Sequence, residues 1–171
     1  MNYYKEQTGL IRRQTVFKKA AWPQGPWDDE PDRIAWRDSE TGRHCLMKRN
    51  GYGAWCGYVG VEPGHPLYKK GYDVKGVYML DVHGGITYAD ECDERRDENG
   101  CEIGICHTPP PGEPDAIWWL GFDCNHGCDD APGNDFFDGT SRLEAYRDVE
   151  YVKNEVRQLA RQLGPAPKGK N

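Results

Sequence analysis

The apolar run Trp118-Trp119-Leu120-Gly121-Phe122 empties abruptly into Asp123-Cys124-Asn125-His126-Gly127-Cys128-Asp129, a cluster able to bind a metal or move protons. A second segment, Asp81-Val82-His83-Gly84-Gly85, has the same form. Each is a hydrophobic approach that ends in carboxylate, imidazole and glycine, which is how a rigid core carries reactive groups to a surface loop. Together they predict one shared polar site. Asp81, His83, Asp123, His126 and Asp129 are the candidate metal ligands, and carboxylate with imidazole suits Zn, Mg or Mn. His83, His126 and Asp123 are the candidate catalytic groups, one of them acting as general base on a bound water. If residues 76–83 form a strand, Asp81 and His83 project from the same face, because side chains alternate with period two. The plainer reading of His83 is a turn residue capping loop backbone beside two glycines.

Sulfur offers a competing ligand set. Cys124, His126 and Cys128 would select zinc, but a structural zinc site needs a second pair of ligands. Only the scattered Cys92, Cys101, Cys106 and His107 are available for that. The chain has seven cysteines. An odd number fits reduced thiols better than a disulfide framework, with buried thiols plus one metal site as the alternative.

Residues 33–37 and 44–48 are strand-like around the turn-forming Asp38-Ser39-Glu40-Thr41-Gly42, which predicts a hairpin. Residues 54–61 form a third strand, and Pro63, Gly64 and Pro66 stop it. Residues 76–82 read as a strand with 86–88 as its return partner, and 116–122 as another strand. Between them, residues 89–115 make a long polar excursion, which in a compact domain points to function or mobility. Val149, Val152, Val156, Leu159 and Leu163 recur at helical spacing, with Asp148 as cap and Gly164-Pro165 as stop. Ser141 with Glu144 offers an earlier capping box. The expected fold is α+β: a mainly antiparallel sheet with long loops and one C-terminal amphipathic helix packed on it. Residues 1–32 are set apart as a short element and a loop rich in Trp, Pro and Asp. Residues 33–165 form the single domain, and 166–171 a frayed tail.

Composition bounds the function. The 171 residues suit one domain with a real core. Only 37% are apolar, but six Trp and ten Tyr shift burial toward aromatic rings. Those rings also suggest a ligand pocket, with Asn50, Trp55, Tyr58, His83 and Tyr88 stacking and reading a nucleotide-like small molecule. The plainer reading places Trp55, Trp119 and Phe122 in the core. A net charge of −6 argues against non-specific coating of nucleic acid, although Arg12, Arg13, Lys18 and Lys19 form a local basic patch. No apolar run reaches membrane-spanning length and no secretory leader stands at the N-terminus, so a cytoplasmic setting is expected. Zinc-deaminase, Walker A, dinucleotide-fold and nucleophile-elbow signatures are all missing.

Across residues 50–165 several motifs occur together: Asn50-Gly51-Tyr52-Gly53-Ala54-Trp55-Cys56-Gly57-Tyr58, Gly64-His65-Pro66-Leu67-Tyr68, His83-Gly84-Gly85-Ile86-Thr87-Tyr88, Trp118-Trp119-x-Gly121-Phe122-Asp123-Cys124-x-His126 and Tyr146-Arg147-Asp148. In this combination the chain resembles a group of small uncharacterised proteins of tailed bacteriophages. The resemblance implies a phage origin and the host bacterial cytoplasm, without an established activity. By analogy with small phage accessory proteins, it suggests a counter-defence binder that sequesters a nucleotide-like signal or inhibits a host defence protein. The alternative is a metal-dependent hydrolase or phosphoesterase built on the Asp/His site. The discriminating feature is whether the two polar corners meet.

Overall fold

The computed structural model describes residues 22–96, 98–100, 103–106, 116–133 and 146–167, together with the backbone of 2–6 and 9–14. Seven strands form one sheet: β1 (Asn2–Glu6), β2 (Gly9–Gln14), β3 (Arg33–Arg37), β4 (His44–Arg49), β5 (Trp55–Val61), β6 (Tyr88–Glu91) and β7 (Trp118–Asp123). Their spatial order is β1-β2-β3-β4-β5-β7-β6, and every neighbouring pair is antiparallel. Besides the single turn α1 (Lys75–Tyr78) and the 3-10 turn Pro26–Asp28, the described residues form one long helix, α2 (Val149–Gln162). The fold is α+β. None of the described helices is long and apolar enough to cross a membrane.

Strand β5 is buried at every position, because both faces of the sheet are covered. On one face, Trp55, Val59, Leu120 and Phe122 pack against Val152, Val156 and Leu159 of α2. On the other, Leu46, Cys56, Tyr58 and Trp119 pack with Ile105 and Ile117. Trp55, Trp119 and Phe122 are core residues, as the plainer sequence reading has it. Gly57 marks where helix and sheet come closest: a Cβ there would lie 2.5 Å from Val156 Cγ2 and 2.6 Å from Phe122 Cζ.

Helix α2 is held at both ends. Asp148 caps it by accepting from the Tyr151 amide at 2.8 Å, and the Glu30 carboxylate accepts from the Val149 amide at 3.1 Å. Glu30 is itself fixed by Arg49 (2.5 Å), Tyr146 (2.5 Å) and Trp55 (3.1 Å). At the far end, the buried Arg43 donates to the carbonyls of Leu163, Gly164 and Pro165 while pairing with Glu62 at 2.8 Å. Acids at the N-terminus and a cation at the C-terminus match the helix dipole and satisfy its unpaired backbone groups.

The structure corrects several expectations. Residues 76–82 are not a strand. Residues 76–78 lie in α1, and 79–82 follow it as an irregular run along α2, because the position beside β5 is taken by β7. The hairpin with 86–88 is therefore not formed; only Tyr88 of that segment joins a strand, and β6 pairs with β7. Residues set apart at the N-terminus supply β1 and β2, which extend the same sheet through β3. Cys92 and Cys106 form a disulfide instead of remaining reduced, which closes part of the long excursion over the second face. Ala166 donates its amide to Thr41 O at 2.7 Å, so the chain is tied down that far. The Ser141/Glu144 box, Cys101, His107, Lys18, Lys19 and residues 168–171 lie outside the described residues, as do the side chains of Arg12 and Arg13.

Candidate metal centre

Strand β7 delivers the first corner. Beyond Asp123, the Cys124 amide still bonds to Trp55 O at 2.9 Å, and the chain then turns away from the sheet. Asp123 caps this exit: its Oδ1 accepts from the Asn125 amide at 3.2 Å and its Oδ2 from the Thr87 hydroxyl at 2.8 Å. A tight turn follows, with the Asp129 amide donating to His126 O at 2.8 Å and Asp129 Oδ2 accepting from the His126 amide at 3.1 Å. The turn folds the carboxylate back under the imidazole that precedes it.

The second corner is the turn Val82-His83-Gly84-Gly85, closed by the Gly85 amide on Val82 O at 3.0 Å. Buried Val82 and Ile86 anchor its two ends. Gly84, at φ +67, has a conformation that L side chains disfavour, and it lies directly against the His126 ring: a Cβ would sit 2.0 Å from Cε1. Only glycine lets the two corners close to this distance.

They meet at Asp129. His83 Nε2 lies 2.8 Å and His126 Nδ1 3.3 Å from Asp129 Oδ2, and the two imidazole centroids are 5.4 Å apart. One ligand atom from each of these three residues falls within 4.8 Å of the others, a spacing that one metal ion can bridge. The Asp129 side chain is 1% exposed, His83 13% and His126 38%, so the group opens to solvent on the His126 side.

A further ring of contacts orients these groups. His83 Nδ1 pairs with the Tyr151 hydroxyl at 3.0 Å, and the His83 amide donates to Glu155 at 2.8 Å. Tyr151 and Glu155 are four residues apart on one flank of α2, so the helix holds both the ring and the backbone of His83. Arg147 Nε donates to Asp129 Oδ1 at 3.0 Å, leaving Oδ2 for the imidazoles. Arg147 is placed by the bridge between Asp130 and Tyr146 just before it. Burial opposes ionisation of Asp129, but hydrogen bonds from His83, the His126 amide and Arg147 outweigh it and hold the carboxyl below its ordinary range. Burial, followed by the nearby Glu155 charge, raises the Tyr151 hydroxyl. Burial likewise raises the Cys124 thiol, which keeps it protonated at neutral pH.

His83, His126 and Asp129 are thus brought together, whereas Asp81 and Asp123 are not. The Asp81 backbone is held by Gln162 and Gln158 of α2, about two turns from Tyr151. Asp123 remains a loop cap. Cys124 and Cys128 stand outside the group, Cys92 and Cys106 are bonded to each other, and among the described residues no cysteine joins His126 as a ligand. The nucleotide-pocket residues are dispersed. Trp55 is fully buried on the helix side with Arg49 stacked at 4.4 Å, while Tyr58 packs edge-on against Tyr88 on the opposite face. Asn50 Oδ1 caps the Tyr52 and Ala54 amides. Arg147, Tyr151 and Glu155 escaped the sequence reading; their signal is the Tyr146-Arg147-Asp148 motif and the four-residue spacing on the flank of α2.

Compared with protein-family models, with curated proteins and with solved structures, the chain has no match.

Proposed function

We propose that His83, His126 and Asp129 bind a divalent transition metal, zinc being the best match, and that the protein is a metal-dependent hydrolase. The observation that carries this reading is the convergence of two imidazole nitrogens and one carboxylate oxygen from corners about 40 residues apart in sequence. Two imidazoles disfavour Mg, which prefers oxygen ligands throughout. Three protein ligands leave a coordination position free, which is how catalytic zinc sites differ from structural ones. When bound, the metal would supply an acidified water as nucleophile. The chain's own groups would hold that arrangement. Tyr151 fixes the His83 ring so that Nε2 faces the centre, and Arg147 occupies Asp129 Oδ1 so that Oδ2 serves as ligand. The more exposed His126 borders the open side, where substrate enters.

The test is elemental analysis of the purified protein, followed by zinc titration of wild type, His83→Ala and Asp129→Asn. Binding near one equivalent that both substitutions remove supports the reading, and iron in place of zinc would redirect it to oxygen chemistry. Activated phosphodiesters and phosphomonoesters then test hydrolysis. A small molecule that co-purifies and is recovered intact after incubation with zinc would favour the phage accessory-binder role suggested by the sequence motifs.

A further inference from the structure

Helix α2 also carries a polar surface away from the metal corner. Asn154, Arg157, Gln158 and Arg161 recur at helical spacing, turned by about 100° around the helix from Tyr151 and Glu155. Together with Asp38, Ser39 and Glu40 of the turn between β3 and β4, they line a groove of about 450 Å³. That size falls within the range of small-molecule sites, and the lining selects for a polar occupant.

The charges within it are unevenly matched. Glu40 Oε2 pairs with Arg161 Nε at 2.8 Å, but both side chains are more than half exposed, at 59% and 56%, so the pair opens at little cost. Asp38 is buried and places only Oδ2 on Thr41, bonding its amide at 2.9 Å and its hydroxyl at 2.8 Å. Arg157 is half-buried and, among the described residues, has neither a hydrogen bond nor an ion pair. A guanidinium without an acceptor of its own is a ready partner for a carboxylate, which its planar fork grips at two points. The Asp38 and Glu40 carboxylates across the groove repel a purely anionic ligand and attract an ammonium. We propose that this groove binds a small zwitterion of the α-amino-acid class, its carboxylate on Arg157 and its ammonium on Asp38. The groove shares no side chain with the His83, His126 and Asp129 group.

Amide NMR titration of the full chain with L-alanine tests the assignment, with acetate and methylammonium as single-charge probes. The expected result is saturable shifts at residues 38–40 and 154–161 with alanine, and binding about tenfold or more weaker for either half-ligand. Arg157→Met removes the response. Arg157→Lys keeps the charge but loses the fork, and it binds alanine with intermediate strength; it serves as the test if the methionine variant does not fold. Acetate binding as tightly as alanine, alanine shifts that persist in Arg157→Met, or no response to alanine would each overturn the proposal.

Discussion

Replacing Gly84 by alanine separates backbone strain from site geometry. At φ +67 a side chain costs about 1–2 kcal/mol. The added methyl would also start 2.0 Å from His126 Cε1, where ordinary contact begins at 3.4 Å, so the ring must retreat by the difference, about 1.4 Å. Metal–nitrogen bonds tolerate only about 0.2 Å, so this displacement removes His126 as a ligand. Gly85 provides the control: its φ is +84, and a methyl added there would meet nothing within 4 Å. Gly85→Ala carries the strain without the collision. Both variants should lower the metal-free melting temperature, by about 2–8 °C for a chain of this size. Competition titration against a chromophoric chelator should show zinc affinity falling about 10–100-fold in Gly84→Ala and staying near wild type in Gly85→Ala. Equal zinc affinity in the two variants would refute the claim that the Gly84–His126 approach builds the site.

Arg49→Met strips Glu30, Asp32 and the Gly53 carbonyl of a fully buried guanidinium, and urea unfolding should show a loss of about 3–5 kcal/mol. A loss below about 1 kcal/mol would mean that the network contributes little. Tyr151→Phe should retain the fold while weakening zinc binding about tenfold, because the His83 ring loses its orienting hydroxyl; unchanged binding would exclude that role. The folded-state pKa of Asp129 lies below its unfolded value, so its contribution to stability is complete above about pH 4 and disappears as pH falls through the folded pKa. Thermal melts between about pH 2 and 5 should therefore drop more steeply in wild type than in Asp129→Asn, and parallel curves would contradict the assignment.

Strands β3, β4, β5 and β7 and helix α2 are legible in the sequence because each has its own periodicity, cap or turn. The segment 76–83 reads wrongly as a strand because Val77, Tyr78, Met79, Leu80 and Val82 make a short apolar run that helix and strand share, while strand order decides whether a neighbouring edge is free. β7 inserts between β5 and β6, and no local pattern announces such a pairing. The disulfide is hidden for the same reason: Cys92 and Cys106 are 14 residues apart, and only the folded excursion brings them together. At the site, residue chemistry marks both corners. Choosing three ligands among five acids and imidazoles requires knowing that Asp81 follows the flank of α2 and that Asp123 closes a loop.

The two-ended anchoring of α2 has a dynamic consequence. Because Glu30 and Arg43 restrain opposite termini, Tyr151 and Glu155 sit on a stationary anvil, and the loops bearing His83 and His126 must supply any accommodation of an incoming molecule. Amide hydrogens in the middle turns of the helix would exchange with solvent deuterium among the slowest in the protein, and occupancy of the centre would slow chiefly those of the two loops.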